Sequence, residues 1–194
     1  MKKIPTLFVR EFEGHTVKRV LPEVTEGLEW VLEGKGIATI KYDGSCCAII
    51  DGKLYKRYDA KHGKPIPKGA IPCQEKADPI TGHFPCWLAC DREQPSDKWF
   101  YAAYDCLIKD IGIPLDGTYE AVGVHFQGNP YKMEDDRLVR HGLNVAFLKE
   151  RSFDGIKQFL EENYEEGIVF WKDGEPKCKI KRSDFGLEWG NKRG

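Results

Sequence analysis

The apolar positions of the chain recur with two different periods, and each period predicts its own elements. Val24, Leu28, Val31 and Leu32 fall on one helical stripe within residues 24–33, with Gly34 placed to stop it, so the spacing predicts a helix there. The following stretch, GIATIKYDGSCCAIIDGKLYKRY, is dominated by β-branched residues. It predicts two or three strands, with Asp51-Gly52 as a hairpin turn and Lys41 at the end of the first strand. Residues 59–97 hold six of the eleven prolines and no sustained period, which predicts a long irregular excursion with a short strand near Trp87-Leu88. Helical spacing returns in KWFYAAYDCLI, where Trp99, Ala103, Tyr104 and Leu107 share a face and Ser96 or Asp97 is the candidate cap. A strand GTYEAVGV, a helix SFDGIKQFLEENY capped by Ser152, and a hairpin of EGIVFW and KCKIK around residues 172–176 complete the pattern. Strands joined by hairpins, with helices inserted between pairs, indicate an α+β fold with largely antiparallel sheets.

Composition narrows this picture. With 194 residues, 41% hydrophobic and 12% aromatic, the chain is long enough for one core, so a single domain over 1–194 is expected. Although 31% of residues are charged, the formal net charge is -1, so attraction to nucleic acid has to come from local clusters of Lys and Arg. No apolar run is long enough to span a bilayer and no signal-peptide core follows Met1, which predicts a soluble, cytoplasmic protein without a membrane partner. Seven cysteines, an odd number that includes the adjacent Cys46 and Cys47, predict reduced thiols rather than a disulfide framework.

Candidate chemistry lies in five short segments. Lys41-Tyr42-Asp43-Gly44 places a lysine at a strand end before an acid and a glycine, a match too short to carry weight alone. Lys56-Arg57, Tyr119-Glu120-Ala121-Val122-Gly123, Glu166-Gly167-Ile168-Val169 and Lys179-Ile180-Lys181 follow it, each on a predicted strand. Glu120 and Glu166 stand among apolar strand neighbours, a placement that is costly unless something pairs with them. Lys179 and Lys181 alternate, so their side chains share one strand face, whereas Lys56 and Arg57 point to opposite faces.

In this order and on these strands, the segments resemble the lysine-nucleotidyltransferase superfamily of polynucleotide ligases and messenger-RNA capping enzymes. That superfamily carries Lys-x-Asp-Gly, further acidic strand motifs and a closing Lys-x-Lys. GAIPCQE at 69–75, DPITGHFP at 78–85, GNPY at 128–131, Arg-His-Gly at 140–142 and KIKRSDFGLEW at 179–189 are similar, more narrowly, to the compact ATP-dependent RNA ligase family. The resemblance implies a nucleotidyltransferase core, ATP-grasp-like and of the ligase adenylation type, of antiparallel sheets with flanking helices and no accessory domain. It implies an enzyme that joins RNA 5'-phosphate to 3'-hydroxyl ends through a covalent lysyl-AMP and an adenylylated RNA 5' end. Lys41 would carry the AMP; Arg57, Glu120, Phe147, Lys179 and Lys181 would bind nucleotide, and Glu166 would hold Mg2+ or Mn2+. A free lysine has a pKa near 10.4, so a nucleophilic one needs cationic neighbours or desolvation, and two alternating lysines aimed at a triphosphate serve that end. Phe147, on the predicted strand NVAFLK, would stack on adenine; its competing reading is a core phenylalanine.

Two departures from the pattern stand out. Ser45-Cys46-Cys47 occupies the place where many ligases carry an arginine soon after Asp-Gly, leaving Arg57 to supply that charge, and the closing motif comes so near the end of the sequence that no accessory domain is expected. A GTP-dependent capping guanylyltransferase and a non-catalytic nucleic-acid-binding relative are the alternative functions. Cys73, His83, Cys86 and Cys90 nominally suffice for zinc, without a standard knuckle spacing. His141 has no assigned task. The final run sets Lys181, Arg182, Lys192 and Arg193 among Phe185 and Trp189, a composition suited either to RNA contact or to a solvated terminal segment.

Overall fold

The computed structural model describes residues 3–14, 16–60, 64–79 and 82–190. In chain order the strands are β1 (Phe8–Glu13), β2 (Thr16–Val24), β3 (Ile37–Lys41), β4 (Ser45–Ile50), β5 (Lys53–Ala60), β6 (Ile71–Pro72) and β7 (Phe84–Ala89). They continue as β8 (Gly117–Val122), β9 (Arg137–Arg140), β10 (Gly167–Lys172) and β11 (Glu175–Lys181), with helices α1 (Lys98–Ile111) and α2 (Phe153–Glu162) inserted. All strand pairings within the three sheets are antiparallel, which gives the α+β class. No helix among the described residues is long and apolar enough to cross a membrane.

The chain divides into two compact units: Met1–Lys3 with Asp43–His141, and Ile4–Tyr42 with Gly142–Gly194. Unit one is built on the six-stranded sheet β6-β7-β5-β4-β8-β9. The hairpin β4–β5 turns at Asp51-Gly52, both in left-handed backbone, as the dipeptide predicts. Alternation puts Cys47, Ile49, Leu54, Tyr119 and Ala121 on one face, where they form a core with Ala103 and Phe100 of α1. Asp97 stands before α1 without capping it, because its carboxylate is taken by Lys56 and by the Asp91 N–H.

Unit two combines the hairpin β1–β2 with the three-stranded sheet β11-β10-β3. Ala38, Ile168, Phe170, Cys178 and Ile180 project from one face of that sheet and bury against Ile156 and Leu160 of α2. Ser152 caps α2 by accepting from the Gly155 N–H at 3.1 Å, as its position in the sequence predicts. The predicted helix over 24–33 is not formed: Val24 ends β2, Gly27 adopts a positive φ of 81°, and only Glu29–Val31 make a 3-10 turn. Leu28 and Val31 reach the core through that turn, so the stripe was a core signal without being a helix. Residues 144–148 form no regular strand; Val145 makes an isolated antiparallel bridge to Thr39.

Candidate active site

The face of the three-stranded sheet opposite its core carries the lysines. Gly167 pairs with Lys41 on one side and Lys181 on the other, and Val169 pairs with Thr39 and Lys179, so Lys41, Lys179 and Lys181 project together. Gly167 is obligatory there for space, since an added Cβ would strike the Ile180 carbonyl oxygen and the Lys181 Cα. Glu166, 4% exposed, reaches around the strand start to pair with both outer lysines. One carboxylate oxygen takes the Lys41 ammonium and the other lies 2.7 Å from Lys181 Nζ. Lys179 forms no ion pair among the described residues. Burial, then the positive charges of Lys41 and Lys181, push Lys179 down to about 8 against the pull of Glu166. The expected field of neighbouring cations is therefore present, and it is felt at Lys179.

The backbone of β11 is fixed by its surroundings. Lys179 donates its N–H to the Pro5 carbonyl at 3.0 Å and its own carbonyl accepts from Leu7 at 2.8 Å. Asp184, 3% exposed, accepts the Lys181 N–H at 2.9 Å and binds Arg10 at 2.8 Å. Further along the same sheet face the character turns apolar. The Trp171 indole donates to Thr39 at 2.9 Å, Trp171 pairs with Ile37, and Val145 bridges Thr39. One face thus offers ammonium groups at one end and an aromatic and aliphatic surface at the other. Phe147 is not a core residue: it is 85% exposed and lines a cleft of about 550 Å³ with Ile40, Gly155, Gln158 and Phe159.

Unit one holds Arg57 and Glu120 on the sheet face turned away from α1, because Lys56, Cys47 and Tyr119 take the helix side. Arg57 Nη2 lies 3.8 Å from Asp59, whose other contact is His83 Nδ1 at 3.0 Å. Among the described residues, Arg57 Nε and Asp59 Oδ1 are buried without hydrogen-bond partners. Glu120 bonds His141 Nε2 at 3.0 Å, and His141 Nδ1 bonds the Thr118 hydroxyl at 3.0 Å. The partner that the apolar setting of Glu120 demanded is thus the histidine that sequence reading left without a task. Asp43 donates its N–H to the Tyr131 hydroxyl at 2.7 Å, and Gln127 donates to the Gly44 carbonyl, so the Gly-Asn-Pro-Tyr loop anchors the start of β4. Gly44 is required by contact rather than by conformation, since a Cβ would collide with the Ala121 carbonyl and Val122.

Among the described residues, no group of three or more His, Cys, Asp or Glu side chains is arranged to hold a metal ion. Cys73, His83, Cys86 and Cys90 do not form a zinc cluster: His83 is engaged by Asp59, and burial pushes the Cys90 thiol up to about 12. Glu166 does not fit a preformed divalent site, because both oxygens already hold ammonium groups and a cation would have to displace one of them. Lys192 and Arg193 lie outside the described residues.

No family model matches the chain. It is similar to RNA ligase 1 of Rattus norvegicus, 25% identical over 269 aligned positions that take in 97% of this chain and 82% of the relative. RNA ligase 1 of Mus musculus is 24% identical, with 97% and 81% covered, and that of Pongo abelii is 23% identical over 221 positions, with 79% and 68% covered. The longer alignments exceed the 194 residues of the chain, so those relatives carry segments inserted relative to it, and the likeness extends over nearly all of what this chain contains.

Proposed function

We propose that this chain is an ATP-dependent RNA ligase that joins a 5'-phosphate to a 3'-hydroxyl through a lysyl-AMP intermediate. The observation that carries the reading is the cluster at the end of the three-stranded sheet: Lys41 at a strand terminus, Lys179 and Lys181 beside it, and a buried carboxylate gripping the outer two. The names of the relatives support RNA as the substrate. Lys41 Nζ, once its ammonium has given up a proton to solvent, attacks the α-phosphorus of ATP; the N–P bond forms, the α-phosphorus to bridging-oxygen bond breaks, and pyrophosphate departs with the electron pair. Lys179 and Lys181 meet the charge that builds on the phosphate oxygens, and the triphosphate competes with Glu166 for Lys181. AMP then passes to the RNA 5'-phosphate, and the 3'-hydroxyl attacks that phosphorus to release AMP. The apolar end of the lysine face suits adenine, whereas Phe147 lines the cleft beside α2. Glu120 is assigned to ribose and Arg57, whose Nε has no hydrogen-bond partner among the described residues, to a phosphate. Magnesium or manganese is proposed as the ion that accompanies ATP, with no step assigned to a protein-held metal.

The test is incubation with α-labelled ATP or GTP followed by a denaturing gel. Label from ATP at 22.2 kDa, lost in Lys41→Ala, is the expected result. No label from either nucleotide would leave a non-catalytic nucleic-acid-binding protein, and GMP passed to a 5'-diphosphate end would make it a capping enzyme.

A further inference from the structure

The cleft beside α2 lies wholly within unit two and takes no part in the chemistry proposed above. Its volume of about 550 Å³ is that of a small-molecule site. Along α2 it follows Gly155, Gln158, Phe159 and Glu162, which stack on one helical face over seven residues, so it is a trough about 10 Å long. Its floor is apolar: Ala146 belongs to the core, Ile40 and Phe159 pack against that core, and Phe147 lines the cleft while 85% exposed. Carboxylates stand at both ends. At the first turn of α2, a Cβ added to Gly155 would come within 2.8 Å of the Glu150 Cβ and carbonyl oxygen, so the glycine leaves the room that Glu150 occupies. At and just beyond the last turn are Glu162 and Glu165. One Glu162 oxygen accepts from the Gln158 amide at 2.7 Å, while the carboxylates of Glu150 and Glu165 have no ion-pair or hydrogen-bond partner among the described residues. Lys149 is the one cation lining the cleft among the described residues, so three acids face one base. The helix makes this arrangement costlier. No basic residue occupies the last turn of α2, Glu161 is paired with Lys157 at 3.6 Å, and Glu162 meets the negative end of the helix dipole. Burial raises the Glu165 carboxyl above its ordinary value.

We infer that this cleft binds a linear aliphatic polyamine, with one ammonium group at Glu150, another at Glu162 and Glu165, and the methylene chain laid along Phe159 and Ala146 beside the Phe147 ring. An ammonium ion at each end restores the charge balance, and the one at the far end also complements the helix C-terminus. The methylenes bury against the apolar floor, and an exposed aromatic ring attracts a cation to its face. Phosphates of RNA or of a nucleoside triphosphate carry the wrong sign for this rim. Binding here does not depend on nucleotidyl transfer.

Calorimetric titration of the full chain with spermidine is the test. Spermidine is expected to bind one to one, and putrescine, too short to reach both ends, about tenfold or more weakly. Glu150→Gln and Glu165→Gln keep the size of the side chain and remove its charge, and each is expected to weaken spermidine binding by about tenfold or more. Circular dichroism checks that both variants are folded. Phe147→Ala, which removes an exposed ring, is expected to weaken binding by about threefold and serves in place of a Gln variant that does not fold. Absence of binding, putrescine as tight as spermidine, or undiminished affinity in the folded variants overturns the inference. So does displacement of spermidine by neutral adenosine, which would give the cleft to a nucleobase. Magnesium that competes as well as putrescine at matched ionic strength would reduce the effect to surface charge and overturns it too.

Discussion

Lys41 ends β3 with the buried Glu166 carboxylate on its nitrogen, as Lys181 does at the end of β11, and it alone of the two opens the Lys-x-Asp-Gly segment. Lys41→Ala is expected to abolish covalent labelling with the fold retained, because no neighbouring amine is held in its place; peptide mapping that finds AMP elsewhere would sink the assignment. Glu166→Ala and Lys181→Ala are each expected to slow self-adenylylation by about 100-fold or more, measured at saturating ATP. Lys179 gives a pH-dependent prediction. Held near 8, it is partly neutral in the free protein at pH of about 8.5, and phosphate oxygens favour its charged form, so nucleotide binding takes up a fraction of a proton. Calorimetry in two buffers of different ionisation enthalpy reads that uptake, which should vanish in Lys179→Met. The same depression sets a sign for stability. An unfolded lysine keeps its proton up to about 10.4, so between about 8 and that value the unfolded state binds more protons and this residue's contribution rises with pH. These residues were legible in the sequence because charged groups on apolar strands need a reason. Their pairings were not, since the Glu166 that holds Lys41 lies 125 positions away, and only strand register brings the two together.

At the level of elements, hairpins were the most readable features. Asp51-Gly52 and Asp173-Gly174 both occupy left-handed backbone, and each joins the strands that the alternating pattern marks out. The hairpin β1–β2 escaped notice because Phe8 and Val20 alone among its strand residues are buried, too thin a signal for a period to emerge. The stripe at 24–33 misled for the opposite reason: four apolar residues at helical spacing are spent partly on a strand end and partly on a 3-10 turn. Two substitutions test what holds the lysine face in place. Ser152→Ala should cost about 1 kcal/mol in denaturant unfolding through loss of the cap on α2. Leu160→Ala, fully buried against the sheet, should cost about 2–5 kcal/mol. Nucleotide labelling at low denaturant should persist in both, which separates support of the sheet from chemistry on it.

On the scale of the whole chain, a net charge of -1 means that the proposed RNA substrate would be held by few local contacts. Sealing of RNA ends is expected to exceed sealing of matched DNA ends, and affinity to fall only shallowly with salt; equal joining of both would point to a general polynucleotide ligase. The division of the chain could not be read from composition, because two of its three boundaries cut through motifs: Lys41-Tyr42 falls in one unit and Asp43-Gly44 in the other, and His141 is parted from Gly142. The boundaries also carry a consequence for biosynthesis. Residues 43–141 are contiguous and can close as soon as they leave the ribosome, whereas β3 must wait for β10, as the bond from Thr39 to the Val169 carbonyl spans 130 positions. The strand that bears Lys41 is therefore synthesised early and finished late, so a nascent chain arrested before Glu166 should protect the tyrosine-rich α1 from proteolysis while taking no label from ATP.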